Sequence, residues 1–215
     1  MFILGPLRSL IAGAPFLFAK ICYSFYMISK SFIKKLKSQI EKSDSGRAKI
    51  IRETHPMVRE AKHAIFKIHR GEIKEAEKSL EALGQKLKTI IKEAEKANSR
   101  GEGTLHAAVE EYLEALYLLK VIQNKSIPQK LSFVITADEQ LAALSDLTGE
   151  LVRAATLEVT RGNLKSIKQY RDATEELFGV LLQMNLRGQL RQKRDDARRN
   201  LKRLEEILYD VSLKN

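Results

Sequence analysis

Two stretches of this sequence carry carboxylates at helical spacing with no basic side chain beside them. In Asp146-Leu147-Thr148-Gly149-Glu150 the two acids stand four residues apart, and no Lys or Arg lies between Gln140 and Val152. From Thr104 to Leu119 there are Glu110, Glu111 and Glu114, one His106, and again no Lys or Arg. Residues three or four apart share a helix face, and like charges there cost roughly 0.2–0.5 kcal/mol per pair. The whole chain holds 38 basic against 27 acidic side chains, so acid clusters stripped of counter-charges stand out. Either a bound cation or basic side chains from other helices must neutralise them, and spacing leaves both readings open.

Four carboxylates from two helices, Glu111, Glu114, Asp146 and Glu150, are hard oxygen donors suited to Mg²⁺ or Mn²⁺. Such ions promote phosphodiester cleavage by polarising a phosphoryl oxygen, activating water and stabilising the leaving oxygen. A di-iron bundle is a third reading, but it needs a Glu-x-x-His pair on each of two helices, which His55, His63, His69 and His106 do not supply. Each histidine therefore reads as a surface or capping residue. There is no Gly-rich phosphate loop, no H-E-x-x-H and no G-x-S-x-G. Cys22 is the sole cysteine, which excludes an intrachain disulfide and a C-x-x-C site and makes a reducing cytoplasm the expected compartment.

The elements that would position these acids are helices. With 11 Gly, 4 Pro, no Trp and long runs of Leu, Ala, Lys and Glu, the chain reads as all-α. Leu131 to Ile135 is the one strand-like exception, too isolated to build a sheet. Ser43 to Gly46 reads as a hydrophilic break with Asp44 capping a first helix from about Arg47 to Arg70, bent at Pro56 and ended by Gly71. A second helix runs from about Glu72 to Ala97, its Ile73, Ala76, Leu80, Leu83, Leu87, Ile90 and Ile91 marking one buried face. Thr104 is the expected cap of a third, to about Gln123. Thr136 and Glu139 match a capping box opening a fourth, which ends at Gly162. Asn163 caps a fifth, to about Asn185, and Gly188 separates it from a last helix reaching about Val211. Six helices with short connections imply an antiparallel bundle. On the fourth, Asp146 and Glu150 lie opposite the stripe Leu141, Leu144, Thr148, Leu151, Ala155 and Val159. They are flanked by Ala142, Ala143, Leu147 and Ala154, as suits a helix packed on more than one side.

The net charge of +11 points to a polyanionic partner, nucleic acid or an acidic membrane surface. It is uneven, since residues 1–42 hold seven basic side chains and one acidic. This N-terminal part, taken as a unit apart from residues 43–215, is rich in apolar and aromatic residues interrupted by Arg8, Pro15 and Lys20. Its apolar pieces are too short to span a bilayer alone, and its lysines follow the apolar stretch, contrary to a secretory signal. Three readings stay open: a peripheral membrane anchor, an apolar arm packed in an oligomer, or a start placed too early. The last helix is basic, with Arg187, Arg191, Lys193, Arg194, Arg198, Arg199, Lys202 and Arg203 against Asp195 and Asp196. It suits either phosphate contact or a solvated face with local ion pairs.

Glu111-Tyr112-Leu113-Glu114-Ala115 and Asp146-Leu147-Thr148-Gly149-Glu150-Leu151 resemble the two acidic motifs of the translin family, in its translin-associated factor X (Trax) branch. Ile65-Phe66-Lys67-Ile68-His69-Arg70 resembles that family's segment late in its first helix. The likeness runs from about Lys42 to Leu213, and the N-terminal 40 residues depart from it. It implies a subunit of a barrel-like homo-oligomer, an octamer, around an RNA-binding cavity. For the Trax branch it further implies Mg²⁺-dependent endoribonuclease activity on single-stranded RNA, with DNA left open. Glu111, Glu114, Asp146 and Glu150 would then be the metal-binding and catalytic set, and Lys62 and Arg153 the basic residues that bind the scissile phosphate. The alternative is a non-catalytic, translin-like single-stranded nucleic-acid-binding protein.

Overall fold

A computed structural model describes residues 28–213, and among these there are six helices and no strand. In chain order they are α1 (Lys30–His69), α2 (Ile73–Lys96), α3 (Gly103–Ile122), α4 (Ala137–Arg161), α5 (Leu164–Leu182) and α6 (Gly188–Ser212). The all-α expectation holds. Leu131 to Ile135 forms no strand; Leu131, Phe133 and Ile135 instead lie against the core. Contacts divide the chain after Lys42, and the unit from Ser43 onward holds the core. The apolar N-terminal stretch read for an anchor, arm or early start lies largely outside the described residues.

Helix α4 is the hub, packed against α3, α5 and α6, while α5 packs on α6 and α2 on α3. Helix α3 is apolar nearly all round, with Leu105, Val109, Leu113, Leu118 and Leu119 buried. A helix of that kind belongs in an interior, so any polar face it keeps must open on a cleft. Ala142, Ala143, Leu147 and Ala154 of α4 are buried beside Thr148, Leu151 and Ala155, as expected of a helix covered on more than one side; Val159 is exposed.

The capping box is present: Thr136 accepts from the Glu139 amide while the Glu139 carboxylate accepts from the Thr136 amide. Gly162 closes α4 in the left-handed region at φ 69°, and Asn163 accepts from the Ser166 amide to open α5. Two boundaries differ from expectation. Helix α1 runs unbroken through Ser43 to Gly46, so Asp44 caps nothing. The reason is packing: a Cβ on Gly46 would stand 2.9 Å from Cβ of Ala97, so this glycine allows a close approach to the end of α2 instead of marking a break. Nor does Thr104 cap α3; the cap position is Glu102, without a side-chain bond. The Thr104 hydroxyl lies 3.0 Å from that of buried Thr54 on α1, and Glu102 meets Arg47 at 2.8 Å.

Candidate functional site

Each acid singled out from the sequence is half-buried, and the packing of α3 on α4 brings Glu111, Glu114, Asp146 and Glu150 near enough to act on one another electrostatically. Tyr112, Leu113 and Ala115 bury the rest of α3 around Glu111 and Glu114. Leu147, Thr148 and Leu151 do the same on α4, leaving Asp146 and Glu150 on the open side. The counter-charges come from other elements. Lys62 of α1 lies 2.5 Å from Glu111. Lys193 of α6 bonds Asp146 and stands 3.7 Å from Glu110. Buried His69, the last residue of α1, bonds Glu150, with Arg153 of α4 at 3.6 Å from the same carboxylate.

Glu114 is different. Among the described residues its carboxyl has neither a hydrogen bond nor an ion pair, and its pKa is pushed up to about 8. Burial is the main cause, followed by the charges of Asp146, Glu111 and Glu150, which Lys62 only partly offsets. That coupling is the electrostatic signature of four carboxylates converging on one region. For Glu150 burial pulls the pKa upward, but the His69 hydrogen bond and charge, then Arg153 and Lys62, outweigh it and hold the group below its ordinary value. Burial also works against Lys193, yet Asp146, Glu110 and Glu114 raise its pKa above the usual lysine value.

The cation question thus has a mixed answer. Basic side chains from other helices pair with three of the four acids, and among the described residues no three His, Cys, Asp or Glu side chains are gathered closely enough to hold a metal ion as placed. The donor chemistry nevertheless fits a hard divalent ion, because all four groups are carboxylates and Glu114 is repelled by the others with no cation of its own. Lys62 and Arg153, both exposed, stand at the rim of the same cluster.

The sequence model of the Translin family matches residues 32–215. This chain belongs to the translin family. The match begins about ten residues before Lys42, so the family pattern reaches further toward the N-terminus than the motifs suggest. An uncharacterised protein of Methanocaldococcus jannaschii is 26% identical over 184 residues, covering 81% of this chain and 80% of that one. The crystal structure of apo-NeC3PO superposes with a TM-score of 0.76 at 27% identity, covering 83% of this chain and 96% of NeC3PO. AfC3PO gives 0.78 at 20% identity with 85% and 98% covered, and its complex with duplex RNA gives 0.77 at 20% with 85% and 97% covered; at that identity the likeness is one of fold.

Within this translin fold, sequence reasoning missed two partners. His69 sits in the quoted Ile65–Arg70 motif, yet reads from sequence as a surface residue; it is buried because α1 ends against α4, where Arg161 also donates to its carbonyl oxygen at 3.3 Å. Lys193 stood among seven bases on α6, several of which form the expected local pairs, such as Arg203 with Glu206 at 3.2 Å. Only its helical phase, facing α3 and α4, distinguishes it. The capping-box carboxylate Glu139 likewise does more than cap: fully buried, it takes Arg100 and His106 at 2.7 Å each. A cleft of about 570 Å³, lined in part by His106, Glu110, Glu139, Arg187 and Lys193, shares Glu110 and Lys193 with the acid cluster.

Proposed function

We propose that this chain is a Trax-type, Mg²⁺-dependent endoribonuclease acting on single-stranded RNA inside a barrel-like homo-oligomer. The observation that carries the reading is Glu114: a carboxyl without a cation, raised to about 8 by burial and by three neighbouring acids. Repulsion of this kind is relieved when a divalent ion joins the cluster. Glu111, Glu114, Asp146 and Glu150 would hold Mg²⁺ or Mn²⁺, which supplies Lewis-acid activation of water and phosphate. His69 orients Glu150 through its hydrogen bond. Lys62 and Arg153, exposed beside the acids, meet the scissile phosphate. One of the four carboxylates would also accept a proton from the attacking water.

Support for an RNA substrate comes from family membership and from AfC3PO, whose fold this chain shares and which was solved with duplex RNA. A second reading, a translin-like binding protein without catalysis, is favoured by the ion pairs that already engage Glu111, Asp146 and Glu150. Incubation with end-labelled single-stranded RNA, in Mg²⁺ or in chelator, separates the two. Cleavage in Mg²⁺ alone, lost in Glu150→Gln with helix content unchanged, is the expected result. Retention of RNA with no cleavage in either buffer would establish the binding protein instead.

A further inference from the structure

The opening turns of α1 carry a second feature, independent of the acid cluster. Phe32, Ile33, Leu36 and Ile40 are all large apolar side chains left 41–60% exposed. At about 100° per residue they fall within an arc of roughly 100°. Lys37, Lys30 and Lys34 follow on one flank and the opposite side, and Lys35 lies on the other flank. All four lysines are exposed, and Glu41 is the only acid in the first 42 residues. Isolated exposed hydrophobes need no explanation, but a contiguous stripe bordered by a single sign of charge does. The segment before it in the sequence is itself rich in Phe, Leu, Ile and Tyr. Among the described residues no helix is long and apolar enough to cross a membrane.

We propose that the start of α1 is an interfacial helix that binds an anionic lipid surface, with Phe32, Ile33, Leu36 and Ile40 entering the headgroup boundary and Lys30, Lys34, Lys35 and Lys37 meeting lipid phosphates. Charge complementarity selects this occupant. A second copy of the same stripe would bring four lysines against four lysines, whereas an anionic bilayer matches both the apolar arc and its basic flanks. The solved relatives are 96–98% covered by only 83–85% of this chain, so roughly a sixth of it has no counterpart in them. The family model begins at residue 32, so the stripe lies at the N-terminal edge of the family match, directly after the apolar segment that precedes it.

The test is co-sedimentation of the full chain with vesicles of phosphatidylcholine alone or with phosphatidylglycerol at about a third of the lipid. The expected result is pelleting with the anionic vesicles only. Near an anionic surface each lysine changes partitioning about fivefold, so Lys→Gln at positions 30, 34, 35 and 37 should lower it at least tenfold. The Phe32→Ser/Leu36→Ser/Ile40→Ser variant should lower it as far while leaving the thermal melt unchanged. Three results would overturn the proposal: equal partitioning of wild type and both variants, dissociation of an oligomer by the serine variant with no vesicle binding by wild type, or loss of RNA retention in the glutamine variant with no vesicle binding by wild type.

Discussion

Glu114 and Glu150 show how one cluster can push two carboxyls in opposite directions. Both are desolvated, but Glu150 has His69 and Glu114 has no cation. The folded pKa of Glu114 lies above its unfolded value of 4.5, so the folded state is favoured fully below pH 4.5 and that contribution is lost as pH rises toward about 8. Metal-free protein should therefore show a Glu114→Gln stabilisation that is negligible near pH 4.5 and grows toward pH 8. Its size should be on the order of 2 kcal/mol, below the full conversion of about 1.4 kcal/mol per unit because four coupled acids share the repulsion. Thermal melts of both proteins across that range check it, and a pH-independent difference would contradict the assignment. His69→Ala should act the other way. It leaves a half-buried carboxylate without its hydrogen bond, at a cost of about 1–3 kcal/mol in chemical denaturation, and it should raise the Glu150 pKa.

At the level of elements, the buried Glu139 joins the loop between α2 and α3 to the start of α4 through Arg100 and the capping box. Arg100→Ala removes one partner of a fully buried charge and is expected to destabilise by about 3 kcal/mol. Glu139→Gln, which keeps an acceptor for the Thr136 amide, should cost less. Urea midpoints would rank the two. The helices themselves were legible in the sequence because their signals are local: Thr136 with Glu139, Gly162 and Asn163 each act within a few residues. The α1 start was not, because Gly46 serves a contact with Ala97, about fifty positions away, and a glycine that permits close approach looks the same as one that breaks a helix. The carboxylates were legible from spacing and from missing neighbours. Lys193 and His69 were not, because their partners lie 47 and 81 residues away, and only the packing of α6 and α1 on the rest brings them there.

For the whole molecule, the proposed reading makes affinity a matter of salt. Retention of single-stranded RNA should fall linearly on a log–log plot, with a slope of about −0.7 for each phosphate neutralised. Replacing Lys62 or Arg153 should reduce the slope by about 1 contact each while leaving sequence preference unchanged. Filter binding between low and physiological salt would measure this. Light scattering on the eluting peak of a sizing column would give the subunit number, with eight expected if the family assembly is kept.

A quieter feature sits between α2 and α3. A Cβ on Gly84 would stand 2.7 Å from the hydroxyl of buried Tyr112, whose ring also lies 5.9 Å from that of Phe133. Tyr112 directly follows Glu111 in the acidic motif, so the notch at Gly84 acts as a keyway that fixes the rotation of α3 about its own axis. A turn by a single residue, about 100°, would carry both glutamates away from Asp146 and Glu150. Filling the notch with Gly84→Ala is expected to cost about 1–3 kcal/mol. It should also disturb the alignment of acids it never touches, because what it changes is the angle at which their helix is clocked.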